Sequence, residues 1–441
     1  MSDPLLEAVR SGASEKELLD CELPTRFRAA FTLKNEVGIF EGQIDKDVRR
    51  SLHVGEVDMP ELAPDEVVVA VMSAAINFNT VWSAIFEPVP TFAFLEKFGR
   101  QGWHGARHDL PYHILGSDGS GVIVRTGSGV KSWKAGDRVV LSPSYVDEED
   151  HGSYDDGMMS ETQLAWGFET NFGSLGEYCI AKANQLIRKP RHLTWEESAS
   201  TTLCAATAYR MLVGTHGARM KQGDVVLIWG ATGGLGSFAT QLVKNGGGIP
   251  VAVVSSEEKA KIVRSQGCDH VINRNELNLG EQGLRHPKAG RVLGEAIRGL
   301  VGEDPGIVFE YLGRETFGAS VYVAKRGGKI VTCGSSTGYK HEYDNRFLWM
   351  RLKSIIGSHG FNYHEAVEVN RLISLGMVHP TLSTVFPLDG AGEATRAVQT
   401  NQHIGKVAVL CGATDEGQGV DDPAMRERIG EEKFHLYRRS V

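Results

Sequence analysis

Apolar and polar positions follow two rhythms along this chain. Short strand-length apolar runs dominate the first part, as in EVVVAVM over 66–72 and GVIVR over 121–125. Turn residues separate them at Gly127, Gly129 and Gly136-Asp137. Runs bounded in this way predict strands of a mostly β domain. Near Trp195 the spacing becomes helical, and 196–212 predicts one long helix. Beyond it, apolar runs at 225–229, 251–254, 270–272, 307–310 and 329–333 alternate with helical stretches. That alternation predicts a parallel sheet covered on both faces, an α/β architecture. Around 351–370 the chain reads as returning to the first domain. The expected organisation is a catalytic domain from 1–205 and 355–441, with a Rossmann doubly wound domain over 206–354 inserted in it. Four stretches lie outside this scheme. Residues 1–35 predict a short amphipathic helix and a leader, 144–160 a polar surface excursion, 275–288 a poorly patterned connection, and 412–441 a charged, partly helical tail.

One segment carries chemistry. After the run 225–229 come Gly230, Gly233, Gly234, Leu235 and Gly236, then a helical pattern, then the run 251–254. Strand, glycine turn, helix and strand form the first unit of a dinucleotide-binding fold. Glycines permit a tight turn and let backbone N–H groups approach a pyrophosphate at a helix N-terminus. The end of the second strand selects the cofactor. An acidic residue there would bind the ribose 2′-hydroxyl of NAD, but this chain has Ser255, Ser256 and Lys259, with Arg264 further on. Hydroxyls and a cation suit a 2′-phosphate, so NADPH is the expected cofactor.

Composition narrows the setting. A chain of 441 residues exceeds what one core usually serves. A hydrophobic content of 41% and charged content of 23% are ordinary for a soluble globular protein. The net charge of −8 gives no general affinity for nucleic acid or membranes. Six cysteines, at 21, 179, 204, 268, 333 and 411, form no CxxC pair. Reduced thiols in the cytosol fit best. The N-terminus has no apolar leader, and 18 apolar residues never run together.

The GDRVV turn at 136–140, the β-rich opening and the late return resemble the medium-chain dehydrogenase/reductases. Zinc alcohol dehydrogenases of that superfamily carry an early cysteine ligand and a Gly-His-Glu motif. The matching places read AAINFNTVW over 74–82 and GSDGSG over 116–121. The ligand set is not supplied, and a zinc-independent reductase with no metal is expected.

More specifically, INFNTVW (76–82), RHDLPYHILGSDGSGV (107–122), WGFETNFGSLGEY (166–178), GRETFGAS (313–320), YDNRFLWMRLKSIIGSHG (343–360) and HPTLS (379–383) resemble crotonyl-CoA carboxylase/reductases. The resemblance spans roughly residues 20–430 and implies a GroES-like catalytic domain, a homotetramer and a reaction. In that reaction, NADPH gives hydride to the β-carbon of an α,β-unsaturated acyl-CoA, and the resulting enolate attacks CO2 at the α-carbon. By motif the CO2 pocket falls on Asn79, Phe168, Glu169 and His359. Asn79 and His359 would donate to the two oxygens of CO2, Phe168 would wall off water, and Glu169 would orient His359 directly or through water. Arg346, Arg351 and Lys353 could meet the phosphates of CoA or form a solvated basic face.

Departures matter as well. The chain reads SASTTLCAATAY at 198–209, FEYLGRETFG at 309–318 and GSHGFNY at 357–363, where the family usually has APGLVNSTAY, FEHPGRETFG and GSHFANY. Gly360 in place of a large aromatic opens space beside His359, so a longer or branched acyl chain is expected. Two alternatives stay open: a non-carboxylating enoyl-CoA or quinone reductase, and a non-catalytic NADPH-binding protein.

Overall fold

The computed structural model describes residues 3–438. A six-stranded, all-parallel sheet forms the dinucleotide unit. Its order is His270–Asn273, Ile249–Val254, Val225–Trp229, Ile307–Glu310, Lys329–Thr332, Ser354–Gly357. The first five strands are those the apolar runs predict. Val225–Trp229 is buried at every residue, as a central strand covered by helices on both faces must be.

The sixth strand, Ser354–Gly357, lies outside the predicted apolar runs. It pairs with Lys329–Thr332 but is largely exposed. The expected cut after residue 354 falls at its first residue, and the cut after 205 falls inside the helix Thr202–Leu212.

The other domain is β-rich. The 11-residue strand Glu66–Ile76, wholly buried, pairs with Gly119–Thr126, Tyr178–Lys182 and Lys406–Leu410. Lys406–Leu410 lies in the first sheet beside Glu66–Ile76. Leu382–Pro387 then adds parallel to Lys406–Leu410.

Three expectations need correction. The single helix over 196–212 is two helices, Trp195–Ala199 and Thr202–Leu212. Between them the Ser200 and Thr201 hydroxyls donate back to the Glu197 and Ser198 carbonyls, both at 2.8 Å. This local competition with the helix ladder breaks it. The opening segment is more than a helix and a leader. Pro4–Ser11 and Glu15–Asp20 are helices, and Arg26–Leu33 is a strand pairing with His53–Asp58. The 144–160 excursion is not wholly at the surface, because Asp156 is buried.

Candidate active site

The two domains face each other across a cavity of about 570 Å³. Its Rossmann wall is the glycine turn. The helix Gly234–Asn245 begins there with no side-chain cap on its first N–H groups, leaving them for an anion. A Cβ on Gly236 would lie 2.4 Å from the Gly230 carbonyl oxygen, so only glycine lets the helix start this close to the strand. Gly230, Gly233, Gly234 and Leu235 line the cavity, while Gly236 acts through packing.

Lys259 and Ser255 also line it, and Lys259 Nζ donates to Ser255 Oγ at 3.4 Å. Ser256 does something else. Its hydroxyl caps the helix Glu257–Ser265, accepting from Lys259 N at 3.3 Å. Arg264 pairs with Glu257 at 2.7 Å on the surface.

The cation missing from the sequence reading is Arg274, which follows the third strand and lines the same cavity. Burial, and then the charge of Arg274, push the Lys259 ammonium below its ordinary pKa. Among the described residues neither cation has a carboxylate partner, and two such charges at one wall suit a phosphate. Only the third strand's position relative to the second could have flagged Arg274.

Tyr311 is a second missed residue. The carboxylate of Glu310, fully buried, accepts from Thr316 Oγ1 at 2.9 Å and Ser320 Oγ at 2.6 Å, as well as from the N–H groups of Leu312 and Gly313. That knot fixes the turn so that the Tyr311 hydroxyl donates to the Gly230 carbonyl at 2.8 Å. The sequence signal was the unusual Tyr-Leu in FEYLGRETFG.

The opposite wall comes from the catalytic domain. Asn79 lies in the first turn of the helix Phe78–Ile85. Its amide nitrogen donates to Ser117 Oγ at 2.7 Å, while its buried Oδ1 has no partner. Beside it, Asn77 Nδ2 donates to Asp118 Oδ2 at 3.1 Å. The Lys406 ammonium donates to Asn77 Oδ1, to the Ile76 carbonyl at 3.0 Å and to Asp118 at 3.5 Å. Asp118 Oδ1 accepts from Leu203 N at 2.9 Å. Burial pushes the Asp118 carboxyl above its usual range, and the Lys406 charge opposes this.

Adjacent Gly405 donates its N–H to the Thr232 carbonyl at 2.7 Å and bridges to Gly233. Across the cleft, the Trp82 and Tyr339 rings stand 6.3 Å apart.

Phe168 lines the cavity, its ring 6.0 Å from Phe94. His359 lines it from the loop after Ser354–Gly357, and no side chain among the described residues bonds its ring. Glu169 departs from expectation. It does not line the cavity, and its Oε2 accepts from Ala165 N at 2.8 Å. That carboxylate closes the turn that carries Phe168 and makes no direct bond to His359.

The basic trio lies elsewhere. Arg346 pairs with Asp344 at 2.7 Å. Arg351 is exposed. Lys353 is buried and donates to the Val321 and Tyr322 carbonyls at 2.7 and 2.9 Å. Burial pushes its pKa down to about 8. Its ammonium is committed to holding a helix end, which corrects its assignment to CoA phosphates.

Family models match each half of this arrangement. The alcohol dehydrogenase GroES-like domain covers residues 63–191, and the zinc-binding dehydrogenase model covers 234–374. Fold and cleft together define a medium-chain dehydrogenase/reductase. A crotonyl-CoA reductase of Streptomyces collinus is 52% identical over 429 residues, 96% of either chain. A crotonyl-CoA carboxylase/reductase of Cereibacter sphaeroides is 38% identical over 380 residues, 83% of this chain and 85% of its own. Among solved structures, the 2-octenoyl-CoA carboxylase reductase CinF, in complex with NADP and 2-octenoyl-CoA, superposes with a TM-score of 0.96 at 56% identity over 99% of both chains. The chain belongs to the crotonyl-CoA carboxylase/reductase family.

Among the described residues no group of three His, Cys, Asp or Glu could hold a metal. At the place of the motif, Asp118 is paired with an ammonium.

Proposed function

We propose that this protein reduces an α,β-unsaturated acyl-CoA with NADPH and adds CO2 at the α-carbon, giving an alkylmalonyl-CoA, without zinc. The observation that carries the reading is the convergence of Asn79, Phe168 and His359 on the same cavity as the glycine turn, Lys259 and Arg274. NADPH held there supplies a hydride to the β-carbon. Gly230 to Gly236 would cradle its pyrophosphate, and Ser255, Lys259 and Arg274 its 2′-phosphate.

The enolate formed has two electrophiles to meet, CO2 and a proton. Asn79 retains one amide N–H beyond the one given to Ser117, and an unpartnered His359 can supply another donor. Two weak hydrogen bonds suit a small quadrupolar gas. Phe168 excludes the water that would deliver a proton. Glu169 supports this indirectly, by fixing the Phe168 turn.

Acyl length is set near Gly360. Its φ is +50°, and a Cβ there would stand 3.0 Å from Met158 Cε. A large aromatic in that place would have to displace Met158, so here Met158, with its flexible thioether, borders the acyl space instead. We therefore read a medium-length enoyl chain as the substrate. Given a mixed C4–C10 enoyl-CoA pool, NADPH and labelled bicarbonate, the enzyme is expected to label C6–C10 products most. Mass spectrometry without label in any thioester product would remove the carboxylase reading and leave a simple reductase. A tenfold preference for crotonyl-CoA would remove the length reading.

We also propose a homo-oligomer, a tetramer by family resemblance, in the reducing cytoplasm that six free thiols suit. The exposed strand Ser354–Gly357 leaves a sheet edge unpaired, with Trp349, Met350 and Leu352 exposed beside it. Such an edge invites a second copy. Sedimentation velocity is expected to give a mass well above the 48.1 kDa of one chain. A monomer at micromolar concentration would refute this.

A further inference from the structure

We propose that Arg210 is a positioning residue. With Asp156 and Glu365 it forms a buried clamp that holds the Met158 segment against the loop bearing His359 and Gly360. The clamp thereby sets both the acyl length accepted and the fraction of product carboxylated. Only the second effect rests on the carboxylase reading. The first needs only an acyl-CoA substrate.

Arg210 sits on the helix Thr202–Leu212 and does not line the cavity. Its guanidinium is buried, as are both carboxylates. Nη2 donates to Asp156 Oδ2 at 2.6 Å. Nη1 donates to Asp156 Oδ1 at 3.3 Å and to Glu365 Oε2 at 2.8 Å. Each carboxylate then reaches one side of the cavity. Asp156 accepts from Met158 N at 3.1 Å, which fixes the residue that lines the wall. It also accepts from Asn362 Nδ2 at 3.2 Å. Glu365 accepts from Asn362 N at 2.9 Å, and Asn362 Oδ1 accepts from Glu365 N at 2.9 Å, capping the helix Tyr363–Ser374. Ser144 Oγ adds a bond to the Phe361 carbonyl at 2.7 Å. Residues 361 and 362, directly after His359 and Gly360, are thus tied to both ends of the 144–158 excursion.

The chemistry of the clamp argues for position over bulk stability. A guanidinium offers donors in a rigid plane, so two carboxylates on one fork have little freedom to slide. A buried charge that loses its partner is strongly disfavoured, so the cluster is either complete or broken. An apolar contact of equal size would tolerate drift. The clamp therefore converts a polar excursion into a fixed wall facing Gly360 and holds the loop behind His359.

The test uses the full chain with NADPH, labelled bicarbonate, and crotonyl- and 2-octenoyl-CoA assayed separately. For Arg210→Met, the ratio of kcat/KM on the two substrates is expected to move at least threefold. The carboxylated fraction is expected to fall at least threefold, with the KM for NADPH within twofold of the parent. Arg210→Lys should not rescue, because one ammonium cannot span both carboxylates. Asp156→Asn keeps the side-chain shape and is expected to give the same changes in smaller degree. A folded Arg210→Met, judged by circular dichroism, with both ratios within 1.5-fold of the parent would overturn the clamp. Should Arg210→Met fail to fold, Asp156→Asn decides by the same two ratios. If the unmutated enzyme incorporates no label, the carboxylase reading falls, and the clamp is judged on the length ratio alone.

Discussion

Asn79→Leu is expected to keep hydride transfer within about fivefold of the parent while the ratio of carboxylated to protonated product falls at least tenfold. Leucine has nearly the same size, so the helix start at Phe78 should persist. What vanishes is the amide, both its bond to Ser117 and the N–H left for CO2. A tenfold change in partition corresponds to about 1.4 kcal/mol between two competing barriers. One hydrogen bond, worth about 0.5–1.5 kcal/mol net, is enough to supply nearly all of it. The measurement is product mass against NADPH consumed. Parental carboxylation yield in the mutant would show that the pocket is wrongly assigned.

Lys259→Ala is expected to raise the KM for NADPH about 10- to 100-fold and to change kcat less than threefold. A charge-assisted contact to a dianionic phosphate contributes about 1.5–3 kcal/mol, which sets that range. The ammonium already sits beside Arg274 at a cost, since burial and the neighbouring charge disfavour its protonated form. A phosphate between the two cations relieves both, so removing one should hurt NADPH and spare NADH. Steady-state kinetics with each cofactor decide it. Equal use of NADH and NADPH by the parent enzyme would refute the 2′-phosphate site altogether.

The legible parts of this protein were those where burial leaves a mark in the sequence. Val225–Trp229 reads as a strand because both its faces are covered, and the glycine turn reads as a nucleotide site because only glycine fits at Gly236. Ser354–Gly357 escaped notice for the opposite reason. Its apolar run is only Ile355-Ile356, too short to read as a strand, so its basic flank looked like a ligand site. Lys353 illustrates this, since its charge suggested phosphate while its burial serves two carbonyls. Ser256 looked like a phosphate ligand because a helix cap and an anion contact ask for the same hydroxyl. Glu169 came with its motif, but no local pattern says which way a carboxylate turns. Arg210, Asp156 and Glu365 lie up to 209 positions apart along the chain, and only tertiary folding brings them together.

The backbone bond from Gly405 to Thr232 has a mechanical meaning. It stitches the re-entrant strand of one domain to the nucleotide turn of the other, and the Ser237–Thr381 hydroxyl pair at 3.0 Å and the paired Gln241–His379 bonds at 2.8 and 3.1 Å join the same two domains. Opening the two halves there would cost several hydrogen bonds at once, whereas parting the Trp82 and Tyr339 rings costs one aromatic contact. The residue after Gly405 is Lys406, so the same bonds set the Lys406 ammonium and its partner Asn77 in fixed register with the dinucleotide turn.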